Sequence, residues 1–229
     1  MQFTHGVEYL AIPGPSVVPQ AVLSAMHRAA PNIYSAEMTA LMLDVLAKLK
    51  RVADTKGHLA AYIANGHGAW EAAIANSFNP GDRALALATG RFTHGWSDMA
   101  EASGVVVDRL DFGRSGTIDL AQVEAALTAD TGHELRAVLM AHVDPSSSVL
   151  NDVPALRALL DRLGHPALLM IDCIASLACD EFHMDDWGVD VMVAGCQKGL
   201  MTPPGVSFVF FNDKADQNRD RVARVSSYW

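Results

Sequence analysis

Cations are scarce in this 229-residue sequence: 17 Lys and Arg stand against 26 Asp and Glu, for a formal net charge of -9. No basic stripe offsets that balance, which excludes nucleic acid or an anionic membrane surface as the main partner. Long apolar runs are missing as well. The longest, around 167–171 and 206–211, are strand-sized, far below the ~20 residues that span a bilayer. The opening MQFTHGVEYLAIPGP lacks the positive region and apolar stretch of a secretory signal. Cysteine is limited to Cys173, Cys179 and Cys196, an odd number with no paired framing, so reduced thiols in a cytoplasmic protein are expected. No CxxC or HExxH occurs, and His58, His94, His142 and His183 do not fall at ligand spacings, so no metal site is expected. Ser146–Ser148 lack the glycines of a GxSxG elbow, which argues against a serine hydrolase. Internal repeats, low-complexity tracts and flexible linkers are also absent.

What is present is an ordinary globular balance, 50% hydrophobic and 19% charged, in a chain long enough for one substantial core. Short β-branched apolar runs alternate with segments of helical period. Strands are predicted at 59–64, 83–88, 105–110, 137–142, 167–171, 189–194 and 206–211. Helices are predicted at 19–29, 37–52, 69–77, 93–103, 120–129 and 153–163, with Asp119 as the N-cap of the fifth. This alternation predicts an α/β fold, a three-layer αβα sandwich around a mostly parallel seven-stranded sheet. In such a sheet the chemistry gathers beyond the carboxyl ends of the strands.

Three segments there carry chemical signals. Asn65-Gly66-His67-Gly68 follows a strand and opens a helix, where free N–H groups favour a phosphate. It is neither a dinucleotide fingerprint, since Glu71 stands at the third glycine, nor a P-loop; alone it reads equally well as a tight turn. Asp172 ends the apolar run ALLMI, where a carboxylate needs a partner, and alone it reads as a helix cap. Lys198 lies on a post-strand turn shortly before Pro203-Pro204-Gly205, suited to a partly desolvated amine, although an isolated lysine there can simply snorkel. Glycine loop, strand-end Asp and then Lys resembles the order found in fold-type I pyridoxal phosphate enzymes. The lysine carries an imine, the acid keeps the pyridine nitrogen protonated, and the loop takes the phosphate.

The segments PGPSVVPQAVLSAM, NGHGAWEAAIAN, GRFTHGWSDMA, GHPALLMIDCIASLA and QKGLMTPPG together resemble the class V aminotransferases of the serine–glyoxylate and alanine–glyoxylate type, over about 12–214. The resemblance implies the large domain of a pyridoxal 5'-phosphate fold-type I enzyme. Lys198 matches its Schiff-base lysine and Gln197 a phosphate ligand. Asp172 matches the partner of the pyridinium, and Ile174 packs on one cofactor face with Phe92 on the other. Asn65, Gly66 and His67 match the phosphate loop, and Gly14 the backbone turn against the substrate. Cysteine desulfurases of the same fold carry His at the position of Gln197. A homodimer is implied, with the leucine-rich stretch 13–53 as part of the contact.

The resemblance also implies a division into an N-terminal segment, 1–20, and a cofactor-binding large domain, 21–229. A smaller C-terminal domain with a carboxylate-binding arginine would follow beyond Trp229. Amino transfer from serine or alanine to glyoxylate is the implied reaction. A pyridoxamine–pyruvate-type transaminase, a fold-type I lyase and a non-catalytic cofactor-binding homologue stay open. The family's His-Asn-Glu-Thr-Ser-Thr-Gly-Val reads here His142-Val143-Asp144-Pro145-Ser146-Ser147-Ser148-Val149. Pro145 thus replaces a hydroxyl near the cofactor, and Ser148 replaces a glycine.

Overall fold

The computed structural model describes residues 10–223. Part of the expected N-terminal segment (1–9) and of the expected large domain (224–229) lies outside these residues. Seven strands form one sheet: β1 (His58–Tyr62), β2 (Arg83–Ala88), β3 (Val106–Asp111), β4 (Leu135–Ala141), β7 (Leu168–Asp172), β8 (Val191–Gly195) and β9 (Ser207–Phe211). A two-stranded hairpin, β5 (Val143–Asp144) with β6 (Val149–Leu150), stands apart from it. The sheet order is β1-β9-β8-β7-β4-β2-β3, and β9 alone runs against its neighbours β1 and β8. The expected mostly parallel seven-stranded sheet is therefore present.

Helices cover both faces. α1 (Gln20–Met26) and α2 (Ala36–Val52) precede the sheet, and α3 (Gly66–Ser77), α4 (Arg91–Ala102), α5 (Leu120–Ala129), α6 (Val153–Leu163) and α7 (Asp213–Arg219) follow within or after it. The central strands are buried on both sides, and their side chains divide by period 2. Leu85, Leu87, Val138, Met140, Leu169 and Ile171 pack with Val123 of α5 and Leu156 and Leu160 of α6. Ala84, Ala86, Ala137, Leu139, Leu168 and Met170 pack with Trp70 of α3 and Trp96 of α4. Small side chains on this second face leave room for two indoles, which stack 6.2 Å apart. Among the described residues no helix is long and apolar enough to cross a membrane.

Asp119 caps α5 by accepting from Ala121 N at 2.9 Å, as expected. The expected strands are all present, β2 with the expected bounds and the others with ends shifted by at most two residues, because ladder hydrogen bonds rather than hydropathy set them. Two helix starts are corrected. α3 begins at Gly66 instead of 69, since Asn65 caps it by accepting from Gly68 N. α4 begins at Arg91 instead of 93. α1 stops at Met26, short of 29, and none of its residues is buried, so no packing extends it. α7 and the β5–β6 hairpin were not expected.

Candidate active site

At the carboxyl end of β7, Asp172 is only 4% exposed. Two donors hold it: Ile174 N–H reaches Oδ1 at 2.7 Å, and the Trp70 indole N–H reaches Oδ2 at 3.0 Å. Burial nonetheless dominates and pushes its carboxyl up to about 7, with the Asp144 charge adding to the rise; the two hydrogen bonds and the Lys198 ammonium oppose it. Beneath it, His142 N–H donates to Asp172 O at 2.9 Å, and the His142 ring pairs with Ser176 Oγ at 3.0 Å. Burial lowers the His142 value, which keeps this ring neutral and structural.

Lys198 sits on the turn after β8. Its Nζ donates to Pro13 O at 2.7 Å, and burial pulls its ammonium down from the ordinary lysine value. The turn is clamped from the N-terminal side: Ser16 N–H donates to Gln197 O at 2.8 Å, and Ser16 Oγ–H to Lys198 O at 2.7 Å. Gly14, at φ 140°, lies where a Cβ would sit 2.6–2.8 Å from the Lys198 side chain, so only glycine lets this strap approach. Pro13, Ser16, Ala175, Cys179, Lys198 and Met201 line a cleft of about 310 Å³ here. Larger hollows lie elsewhere, one of 490 Å³ beside Arg83 and Asp130 and one of 320 Å³ beside Tyr62 and Arg219; neither includes Lys198 or Asp172.

The glycine loop meets the same end of the sheet. Asn65 and His67 are exposed and Gly66 is buried, so close to Ile174 that a Cβ on Gly66 would collide with it. His67 and Phe92 both lie edge-on to Trp70, at 4.7 and 6.2 Å. The buried Gln197 Oε1 has no hydrogen-bond partner among the described residues. Every residue expected at the site, from Gly14 to Lys198, thus lies at the carboxyl ends of the strands, in the turns and helix starts that follow them, or on the strap across them. Two contributors had not been singled out, Trp70 and Asp144. Trp70 lies one turn into α3, and no spacing in the sequence signals that its N–H meets an acid 102 positions away.

The hairpin explains the two substitutions in the segment 142–149. Asp144-Pro145-Ser146-Ser147 is a turn closed by Ser147 N–H to Asp144 O at 3.1 Å, and Pro145 occupies its second position, where no amide donor is needed. Ser148 keeps a left-handed backbone at φ 59°, the conformation for which glycine is suited.

The sequence model of the family described as aminotransferase class-V matches residues 8–227. The chain is 37% identical to L-aspartate–glyoxylate aminotransferase of Paracoccus denitrificans over 89% of its own length and 52% of that protein. It is 35% identical to serine–glyoxylate aminotransferase of Methylorubrum extorquens, over 98% of this chain and 58% of that one. Among solved structures, an alanine–glyoxylate aminotransferase from Nostoc sp. superposes with a TM-score of 0.89 at 27% identity, covering 100% of this chain and 60% of its own. The chain spans little more than half the length of these relatives.

Proposed function

The chain belongs to the class V aminotransferases, and from that premise we propose that it forms the pyridoxal phosphate half-site of an enzyme transferring an amino group from serine or alanine to glyoxylate. One observation carries the reading: Asp172 is a buried carboxylate without enough positive charge around it, and the cation that favours its ionised form is Lys198. A buried acid in that condition suits a ligand that brings a proton-bearing ring nitrogen.

The residues fit the cofactor on three further counts. Gly66 has no Cβ where its backbone crowds Ile174, leaving its N–H open at the start of α3. The buried side-chain amide of Gln197 has an unsatisfied end; turned over, it would offer N–H to an anion. Phe92 and Ile174 present apolar surface from α4 and from the loop after β7. In this reading Asn65, Gly66, His67 and Gln197 hold the phosphate, Asp172 balances the ring nitrogen, and Lys198 carries the carbonyl carbon. Bound there, pyridoxal phosphate supplies an electron sink for the electrons of a broken Cα–H bond.

Lys198 Nζ is the base and acid of the site. Burial destabilises its ammonium, so the free amine needed to accept a proton is more accessible than on a surface lysine. The Pro13 carbonyl orients that amine, and Gly14 leaves backbone against which a small substrate can lie. We place the protein in the cytoplasm as a homodimer. Met42, Leu43 and Val45 on α2 and Tyr34 before it, the last 89% exposed, provide apolar surface suited to a second copy.

Titration with pyridoxal phosphate tests the reading. Saturable visible absorbance, followed by loss of serine or alanine and appearance of glycine when glyoxylate is added, supports it. No absorbance change at saturating cofactor rejects it.

A further inference from the structure

One buried carboxylate has no part in that scheme. Asp144 is 0% exposed and lies at the end of β5, yet its carboxylate reaches the start of α4 as well as its own hairpin. Gly90, the N-cap of α4, has no side chain with which to cap the helix. A Cβ at Gly90 would in turn collide with the Asp144 carboxyl group, so the glycine leaves the space that the carboxylate fills. Asp144 Oδ2 accepts Phe92 N–H at 2.8 Å. Oδ1 accepts Ser146 N–H at 2.9 Å and Ser146 Oγ–H at 2.7 Å, and Ser146 Oγ accepts Arg91 N–H at 2.8 Å. The first two amides of α4 therefore end on one hairpin through one carboxylate, with negative charge at the positive end of the helix. Phe92, the residue so anchored, meets Trp70 edge-on, and Trp70 holds Asp172.

We propose that Asp144 is a positioning residue: it ties the first turn of α4 to the β5–β6 hairpin and thereby fixes the Phe92 ring at the wall of the cofactor site. The assignment rests on the cofactor reading above. Its chemistry is specific to a carboxylate. An amide at this position has one acceptor oxygen for donors on two sides, so Asp144→Asn leaves either Phe92 N–H or Ser146 N–H facing an NH2 group.

The test is a double-mutant cycle on pyridoxal phosphate affinity, read by absorbance, with thermal melting alongside. Asp144→Asn is expected to lower the melting temperature through one unsatisfied buried donor, and to weaken binding about tenfold because the Phe92 ring is no longer held in place. Phe92→Leu is expected to weaken it as well, and the double variant to bind no more weakly than Phe92→Leu alone, because Asp144 acts through that ring. Ser146→Ala, which removes the acceptor of Arg91 N–H and the hydroxyl donor to Asp144 but leaves the Phe92 N–H bond in place, gives a smaller loss in the same direction and serves if Asp144→Asn does not fold. Unchanged affinity in Asp144→Asn, or a full loss that persists beside Phe92→Leu, overturns the assignment while the cofactor reading stands. Failure of the unmodified protein to bind the cofactor overturns both.

Discussion

The Trp70 indole N–H and the Asp172 carboxylate, 102 positions apart, meet at 3.0 Å between the second core face and the candidate cofactor site. The bond joins packing to chemistry: the indole that fills the space left by small strand residues also stabilises the ionised form of the strand-end acid. Trp70→Phe removes the donor and also leaves a smaller ring in a packed space. It is predicted to cost about 1–3 kcal/mol in urea unfolding and to raise the proton affinity of Asp172 further. A carbon-13 titration of the aspartate carboxyls checks the second part; an unshifted Asp172 would show that the contact matters only for packing.

Asp172 also predicts a pH dependence. Its folded value, about 7, lies above the ordinary 3.8, so the folded chain holds this proton more tightly than the unfolded chain. The associated stability is fully present below the ordinary value and is lost as pH rises through about 7. Without cofactor, the unmodified protein is therefore predicted to lose stability relative to Asp172→Asn between about pH 5 and about pH 8. Urea unfolding of both proteins across that window measures it, and parallel pH profiles would contradict it.

Ser148 offers a prediction independent of the cofactor. A side chain at φ 59° carries the steric cost of the left-handed region, which glycine escapes. Ser148→Gly is expected to raise stability by up to about 1 kcal/mol, the gain being reduced by the freedom glycine adds to the unfolded chain. Ser148→Val is expected to lower it, because branching at Cβ worsens the same clash. Melting temperatures moving in the opposite order would mean that the turn relaxes out of this conformation.

The fold was legible where period and punctuation agreed. α5 and α6 begin and end where the apolar spacing puts them, α5 behind the expected Asp119 cap, and the structure adds Asp152 and Gly164 as the caps of α6. Gly66 and Gly68 are poor helix formers, yet α3 starts at Gly66, because the Asn65 cap and the packing of Trp70 override that propensity. α7 escaped notice because its seven residues, DKADQNR, bury only Ala215 and show no apolar stripe. The hairpin was hidden for another reason. Its strands have two residues each, too short for any alternation to register, and the Asp144 carboxylate bonds Ser146 within its turn. At the site, the identities of Asp172 and Lys198 could be read from strand ends and turn chemistry. Their partners could not, since the Trp70 and Pro13 contacts join positions 102 and 185 residues apart.

Lys214 is engaged with Ala167 O and Asp190, while Lys198 alone among these amines faces the cleft that holds the strap, with Asp172 favouring its charge from nearby. The direct measurement is borohydride reduction of the protein incubated with pyridoxal phosphate, followed by peptide mapping by mass spectrometry. Reduced cofactor fixed on Lys198 is the predicted result; a label on Lys56 or Lys214 instead, or none at saturating cofactor, would contradict it.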